Sequence, residues 1–241
     1  MFVEIGNQSG RTTPAGATIL DPASRYATIM NTYNVTPERI EEVLEYLIRS
    51  GKNVVRYQAG FVSFNFHVSA DRTQIVNYGQ WQNRDALSSM QQNSAIGTLM
   101  KETTQVAGPS APTPFDLVRV IKARAAVDEG TTKLIPNNGQ LTLINTYTVQ
   151  PERADELIEF LTRATQETLR YISGFISANL HLGFDRTKIV NYAQWVDAEA
   201  TAAARQDPRV AELMLQQLQI ADSFNPLPFN FRSSVSAGPT K

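Results

Sequence analysis

Ile75-Val76-Asn77-Tyr78-Gly79-Gln80-Trp81 returns, nearly unchanged, as Ile189-Val190-Asn191-Tyr192-Ala193-Gln194-Trp195. Asn77 and Asn191 are 114 residues apart, and the same offset runs without a gap from Asn31 (partner Asn145) to Phe115 (partner Phe229). One module is therefore present twice, each copy roughly 95–100 residues, the size of a small domain. Successive side chains of a strand point to opposite faces. Asn77 and Trp81 thus share one face, as do Asn191 and Trp195, while Tyr78 and Tyr192 point to the other.

Working outward from this strand, each copy predicts the order β-α-β-β-α-β, a ferredoxin-like split unit. Ala27 to Val35 is β-branched and alternating, which predicts a strand. Thr36-Pro37-Glu38 reads as a helix start, with Thr as N-cap, Pro at the first helical position and an acid in the first turn. Ile40, Val43, Leu44, Leu47 and Ile48 then form one apolar stripe. Phe61 to Val68 is the second strand, with Phe61, Ser63, Asn65 and His67 expected on one face. Asp71-Arg72-Thr73 predicts a hairpin turn. Arg84 to Val106 reads as one helix, ended by Gly108 and the prolines beyond it, and Phe115 to Ile121 as a fourth strand. The second copy predicts strand 141–149, a helix from Pro151 to about residue 171, strands 175–182 and 188–195, helix 198–222 and strand 228–235.

The division expected is an N-terminal arm (1–25), module 1 (26–121), a linker (122–140), module 2 (141–235) and a tail (236–241). A four-stranded sheet with both helices on one side leaves its other face bare. Two such sheets can cover each other by closing into a barrel. Here the second copy is covalently supplied at high effective concentration. The fold class expected is α+β: an intramolecular pseudo-dimeric α+β barrel, with two matching pockets, each between a sheet and its helices or at the barrel mouth. The chain would be a monomeric pseudo-dimer or pair further as a homodimer.

Composition narrows the chemistry. Among 241 residues, Lys+Arg number 22 and Asp+Glu 23, a net charge of -1. No basic field is available for a phosphate backbone, so nucleic acid is not an expected partner. There is no cysteine, which excludes disulfides, thiolate metal sites and cysteine nucleophiles. The first residues lack the basic and apolar regions of a signal peptide. No apolar run approaches the ~20 residues that cross a bilayer. A cytoplasmic protein without a membrane role is expected.

The chemistry-bearing candidates come in matched pairs. Asn77 and Asn191 could bind a substrate oxygen or steady an anion, or could hold a loop. Trp81 and Trp195, the only tryptophans, could wall a flat aromatic ligand or anchor the core. His67 and His181, the only histidines, could serve as general bases or as hydrogen-bonded structural groups. One His per half is too few for a protein-built metal centre. Asn31 and Asn145 sit mid-strand, where Asn is disfavoured. Between the copies apolar positions drifted, as in Phe64 against Ala178, whereas the Asn, His, Tyr and Trp positions did not. No phosphate loop, Rossmann glycine fingerprint or Ser/His/Asp constellation is present.

The Asn-Tyr-x-Gln-Trp strand within a β-α-β-β-α-β module resembles the antibiotic biosynthesis monooxygenase family of the dimeric α+β barrel superfamily, over residues 27–121 and 141–235. The chain departs from the usual pattern in carrying both modules in one polypeptide. The resemblance implies an enzyme that oxidises an anthrone or naphthol of polyketide type to a quinone, with O2 as co-substrate and neither metal nor flavin. It also implies roles for Asn31, Asn77 and Trp81, for Asn145, Asn191 and Trp195, and for His67 and His181 in proton transfer. Alternatives within the superfamily are a flavin-dependent or ring-cleaving oxygenase. A haem-degrading enzyme would need a His after the Trp, which neither copy has. A non-catalytic protein that binds an aromatic ligand is the alternative outside oxygenase chemistry.

Overall fold

The computed structural model describes residues 17–126 and 130–238. Most of the expected arm, three linker residues and the last three of the tail lie outside the described residues. The elements run β1 (Thr18–Leu20), β2 (Ala27–Asn34), α1 (Ile40–Asn53), β3 (Phe61–Ser69), β4 (Gln74–Trp81), α2 (Arg84–Gln92), α3 (Ser94–Ala107) and β5 (Thr113–Lys122). They continue with β6 (Thr132–Leu134), β7 (Leu141–Thr148), α4 (Ala154–Glu167), β8 (Phe175–Gly183), β9 (Lys188–Trp195), α5 (Ala198–Gln206), α6 (Pro208–Gln217) and β10 (Ser223–Ser236).

Eight strands close into one barrel in the order β10-β3-β4-β2-β5-β8-β9-β7. The last strand of each module ties it to the other. β5 pairs with β2 near its start and then with β8, while β10 pairs with β7 and then with β3. All eight strands join in one closed ring, so the covalent pseudo-dimer expected from the repeat is the architecture found.

Each hairpin is set by its turn. Arg72 and Arg186 take positive φ (60° and 62°), and the Asp one residue earlier accepts from the Thr backbone N–H at 3.1 and 3.0 Å. On α1, Ile40, Val43, Leu44 and Leu47 are buried, so the expected stripe is the face laid on the sheet. Three local expectations are corrected. Thr36 makes no side-chain cap bond, because Pro37–Arg39 is a 3₁₀ turn ahead of α1. The helix expected over 84–106 is two helices: Asn93 is extended and accepts from Ala95 N–H through its side chain, starting α3 afresh. Asp207, followed by Pro208 at the first helical position, breaks the second copy at the matching place.

The strict alternation expected over 61–67 also fails. A bulge between Phe61 and Ser63 sets Phe61 opposite Trp81 and Ser63 opposite Gln80. Phe61 therefore joins the helix side, while Ser63, Asn65 and His67 face the barrel interior. The second copy repeats the bulge between Phe175 and Ser177.

The barrel is filled, and its filling reaches beyond the two modules. β1 pairs with β6, and Leu20 and Leu134 are fully buried among Met30, Val76, Tyr78 and Tyr192. Thr18 and Leu20 are each 114 residues from Thr132 and Leu134, so the duplication extends into the arm and the linker. Ile19 pairs with its own counterpart Lys133, which places the pseudo-two-fold axis between them. Gln80 and Gln194 donate to the carbonyls of Ile19 and Lys133 at 3.2 and 3.4 Å. The two glutamines thus hold the ribbon from both sides, while the Thr18–Asn65 side-chain bond at 2.8 Å is made in the first half alone among the described residues.

Candidate active site

Between each sheet and its helices lies a cavity. In the N-terminal module it is about 140 Å³, with Asn31, Asn77, Tyr33, Phe64 and Ile29 from the sheet and Met90, Leu99, Met100 and Thr103 from α2 and α3. Its C-terminal counterpart is about 90 Å³ and presents Asn145, Asn191, Tyr147 and Trp195 from the sheet and Val210, Leu213, Met214 and Gln217 from α6. Both cavities are lined mainly by apolar side chains, with an amide pair set in the sheet floor and further polar groups at the helices, Ser50, Gln91 and Thr103 in one and Thr201, Arg205 and Gln217 in the other.

The amide pairs follow from strand register. Asn31 lies directly opposite Asn77, and Asn145 directly opposite Asn191. Directly opposed residues have Cβ atoms about 4.5–5.5 Å apart, so each pair can address one small group. Asn77 is 3% exposed and Asn191 5%. The side-chain oxygens of both are buried without a hydrogen-bond partner among the described residues. An unpartnered buried polar atom costs about 1–3 kcal/mol, a cost that a ligand group in the cavity would relieve. Each of these amide ends faces its cavity.

The tryptophans hold the other end of the floor. Four residues along a strand is about 13 Å, so each Trp stands well apart from the Asn on its own strand. Their indole N–H groups are likewise buried without a partner among the described residues. Each packs edge to face on a phenylalanine, Phe61 on Trp81 at 5.4 Å and Phe175 on Trp195 at 5.3 Å between centroids. Trp195 lines its cavity, whereas Trp81 lies behind Ile29, Val55 and Ile96.

His67 and His181, expected beside these residues, lie elsewhere. Both are fully buried inside the barrel, on the opposite face of the sheet. His67 Nε2 is 2.7 Å from Tyr192 OH and His181 Nε2 is 2.9 Å from Tyr78 OH. Burial holds each imidazole down to about 4. They are neutral at neutral pH and reach neither cavity. The reason lies in the hairpin register: His67 sits opposite Val76, not Asn77.

Tyr33 and Tyr147 were not among the sequence candidates. Tyr33 lines the N-terminal cavity together with Ser110, and burial pushes its hydroxyl up. Tyr147 donates to Gln217 Oε1 at 2.9 Å. Their place two residues beyond Asn31 and Asn145, on the same face, was the available signal. Among the described residues no cluster of His, Asp and Glu side chains forms a metal ligand set.

The sequence model of the antibiotic biosynthesis monooxygenase family matches residues 27–102 and 140–214, more than half of the chain. The chain belongs to that family. As a member it is a monooxygenase, built as two tandem family domains in one barrel. One domain's length of it, 75 residues or 31% of the chain, is 39% identical to tetracenomycin-F1 monooxygenase of Streptomyces glaucescens and covers 67% of that protein. The crystal structure of an anthrone oxidase-like protein superposes with a TM-score of 0.81 at 17% identity, over 93% of this chain and 98% of that one. A major regulator of staphylococcal pathogenesis also shares the fold, with a TM-score of 0.51 at 11% identity over 84% of this chain and 98% of that one. The fold by itself therefore does not determine activity, which resides in the residues of the cavities.

Proposed function

We propose that this monooxygenase oxidises a flat polycyclic phenol or anthrone to the quinone with O2, without metal or flavin, in a cavity between sheet and helices. The observation that carries this reading is the opposed amide pair in a mainly apolar floor, one member of which, Asn77, keeps its side-chain oxygen buried without a partner among the described residues. A hydroxy-anthrone presents a carbonyl, which an amide N–H can bind, and a neighbouring hydroxyl, which an amide oxygen can accept. The apolar remainder of its rings suits Met90, Leu99 and Phe64.

The amides act on the substrate's acidity. Loss of a C–H proton from the central ring spreads negative charge onto the carbonyl oxygen, and fixed amide dipoles aimed there stabilise that anion. Among the described residues lining the N-terminal cavity, Tyr33 is the titratable one, and burial keeps it protonated. The proton therefore passes to water. The electron-rich anion gives one electron to O2, and the radical pair joins as a C–O bond to form a peroxide. The peroxide anion takes one proton back from water, and loss of the remaining ring hydrogen with the outer O–H, as water, leaves the quinone. One O2 is consumed for each quinone and each water formed.

The deciding experiment is O2 uptake by metal- and flavin-stripped protein given 1,8-dihydroxyanthrone, against a boiled control. Uptake above autoxidation, with one quinone per O2, is expected. Uptake that begins only when reduced flavin is added would replace this reading with flavin-dependent chemistry.

A further inference from the structure

The two cavities differ in how their walls close. β10 pairs with β7 from Ser223 opposite Thr148 to Asn230 opposite Leu141. β5 pairs with β2 only from Thr113 opposite Met30 to Asp116 opposite Ala27. Residues 109–112, the counterparts of 223–226, leave the sheet. Among the described residues, Asn31 to Asn34 therefore have β4 on one side and no strand on the other. The cause is local. Gly108 turns the chain at φ 78°, and Pro109 has no N–H to add to a ladder. Their counterparts are Asp222, whose N–H donates to the Thr148 carbonyl at 2.9 Å, and Ser223.

The consequence reaches the amide pair. Ser110 lines both the N-terminal cavity and a wider depression at the end of the barrel, shared with Thr32 and Lys188. A short segment off the sheet is thus the wall between Asn31 and that depression, with Ser110 and Pro112 beside Tyr33 in the cavity lining. In the C-terminal module the matching residue is Phe224, seated in the ladder and stacked on Tyr147 at 4.8 Å. Asn145 is buried at 8% exposure, whereas Asn31 is only partly buried.

We propose that the slot between β2 and residues 109–112 is the substrate entrance, and that the N-terminal cavity alone turns over. The C-terminal cavity, sealed along the matching edge by Phe224 in the ladder, does not turn over, and its module completes the barrel. The inference rests on the reading of these cavities as sites for a polycyclic aromatic.

Methionine positions allow a test that needs no turnover. Met90 and Met100 line the N-terminal cavity, Met214 the C-terminal one and Met30 the barrel-end depression. The full-length protein, labelled with ¹³C-methyl methionine, is titrated with 1,8-dihydroxyanthraquinone, an oxidised probe. The Met90 and Met100 signals should move together at one probe per chain while Met214 stays. Ser110→Phe should weaken that binding at least about tenfold, about 1.4 kcal/mol, and Phe224→Ser should make Met214 respond. If Met214 moves as strongly as Met90 in the unaltered chain, the inequality falls and the aromatic-site reading stands. If neither cavity's methionines move, both fall.

Discussion

His67 and Tyr192 belong to different modules, 125 residues apart, yet His67 Nε2 and Tyr192 OH lie 2.7 Å from each other inside the barrel. The Asn65 carbonyl, 3.1 Å from Nδ1, can only accept. Nδ1 must therefore carry the proton, and Nε2 accepts from the tyrosine hydroxyl. His181 repeats the arrangement with Asn179 and Tyr78. These bonds join the two halves through neutral histidines.

Stability should therefore fall with acid well before the carboxylates titrate. Each histidine goes from 6.5 in an ordinary setting to about 4 when folded. The unfolded chain binds more protons between those values, so stability is fully present above about pH 6.5 and declines down to about pH 4. At 1.36 kcal/mol per pH unit, each histidine removes about 3 kcal/mol across that window. Urea midpoints measured from pH 7 to 4.5 should drop steadily. A flat midpoint down to pH 5 would contradict neutral burial.

Phe64 and Gly79 form a matched pair whose counterparts are Ala178 and Ala193. A Cβ on Gly79 would sit 2.7 Å from the Phe64 ring. Gly79→Ala should cost about 1–3 kcal/mol by overpacking, and should cost little once Phe64→Ala has been introduced. A double-mutant cycle on thermal unfolding measures this. Equal costs in both backgrounds would show that the ring moves aside freely.

The repeat made the fold legible: two copies of one strand-helix order, with matched hairpin turns, predict a covalent barrel. The Asn pairs and the Tyr face were legible from a period of two. The breaks at Asn93 and Asp207 were not read, because apolar spacing runs on through them, although Asp207-Pro208 carried a start signal. The histidines were placed with the asparagines because identity between copies says that a residue matters without saying which face it serves. The register of the Asp71–Thr73 hairpin carries that information. Thr18 and Leu20 matched Thr132 and Leu134 at the repeat offset, but a three-residue strand leaves no periodicity to notice.

That short ribbon should matter to stability. Leu20 and Leu134 are fully buried in the barrel core. Leu20→Ala and Leu134→Ala should each cost about 2–5 kcal/mol, with similar values because the ribbon is two-fold symmetric. Chemical denaturation checks both. A negligible cost for Leu20→Ala would mean that the arm is not a core element.

The amide pair gives the sharpest test of chemistry. Removing one preorganised donor to a developing oxyanion typically lowers kcat about 10²–10³-fold. Asn77→Ala should do so with little change in thermal stability, since its side-chain oxygen has no partner among the described residues to lose. Asn77→Asp should be as inactive or worse, because a carboxylate facing the cavity repels the substrate anion. Asn191→Ala in the closed cavity should leave kcat near that of the unaltered protein. Steady-state O2 uptake on the three variants, with KM and kcat separated, reads all of this. A raised KM with kcat intact in Asn77→Ala would make the amide a binding group only, and the stabilisation of the anion would have to come from elsewhere in the cavity.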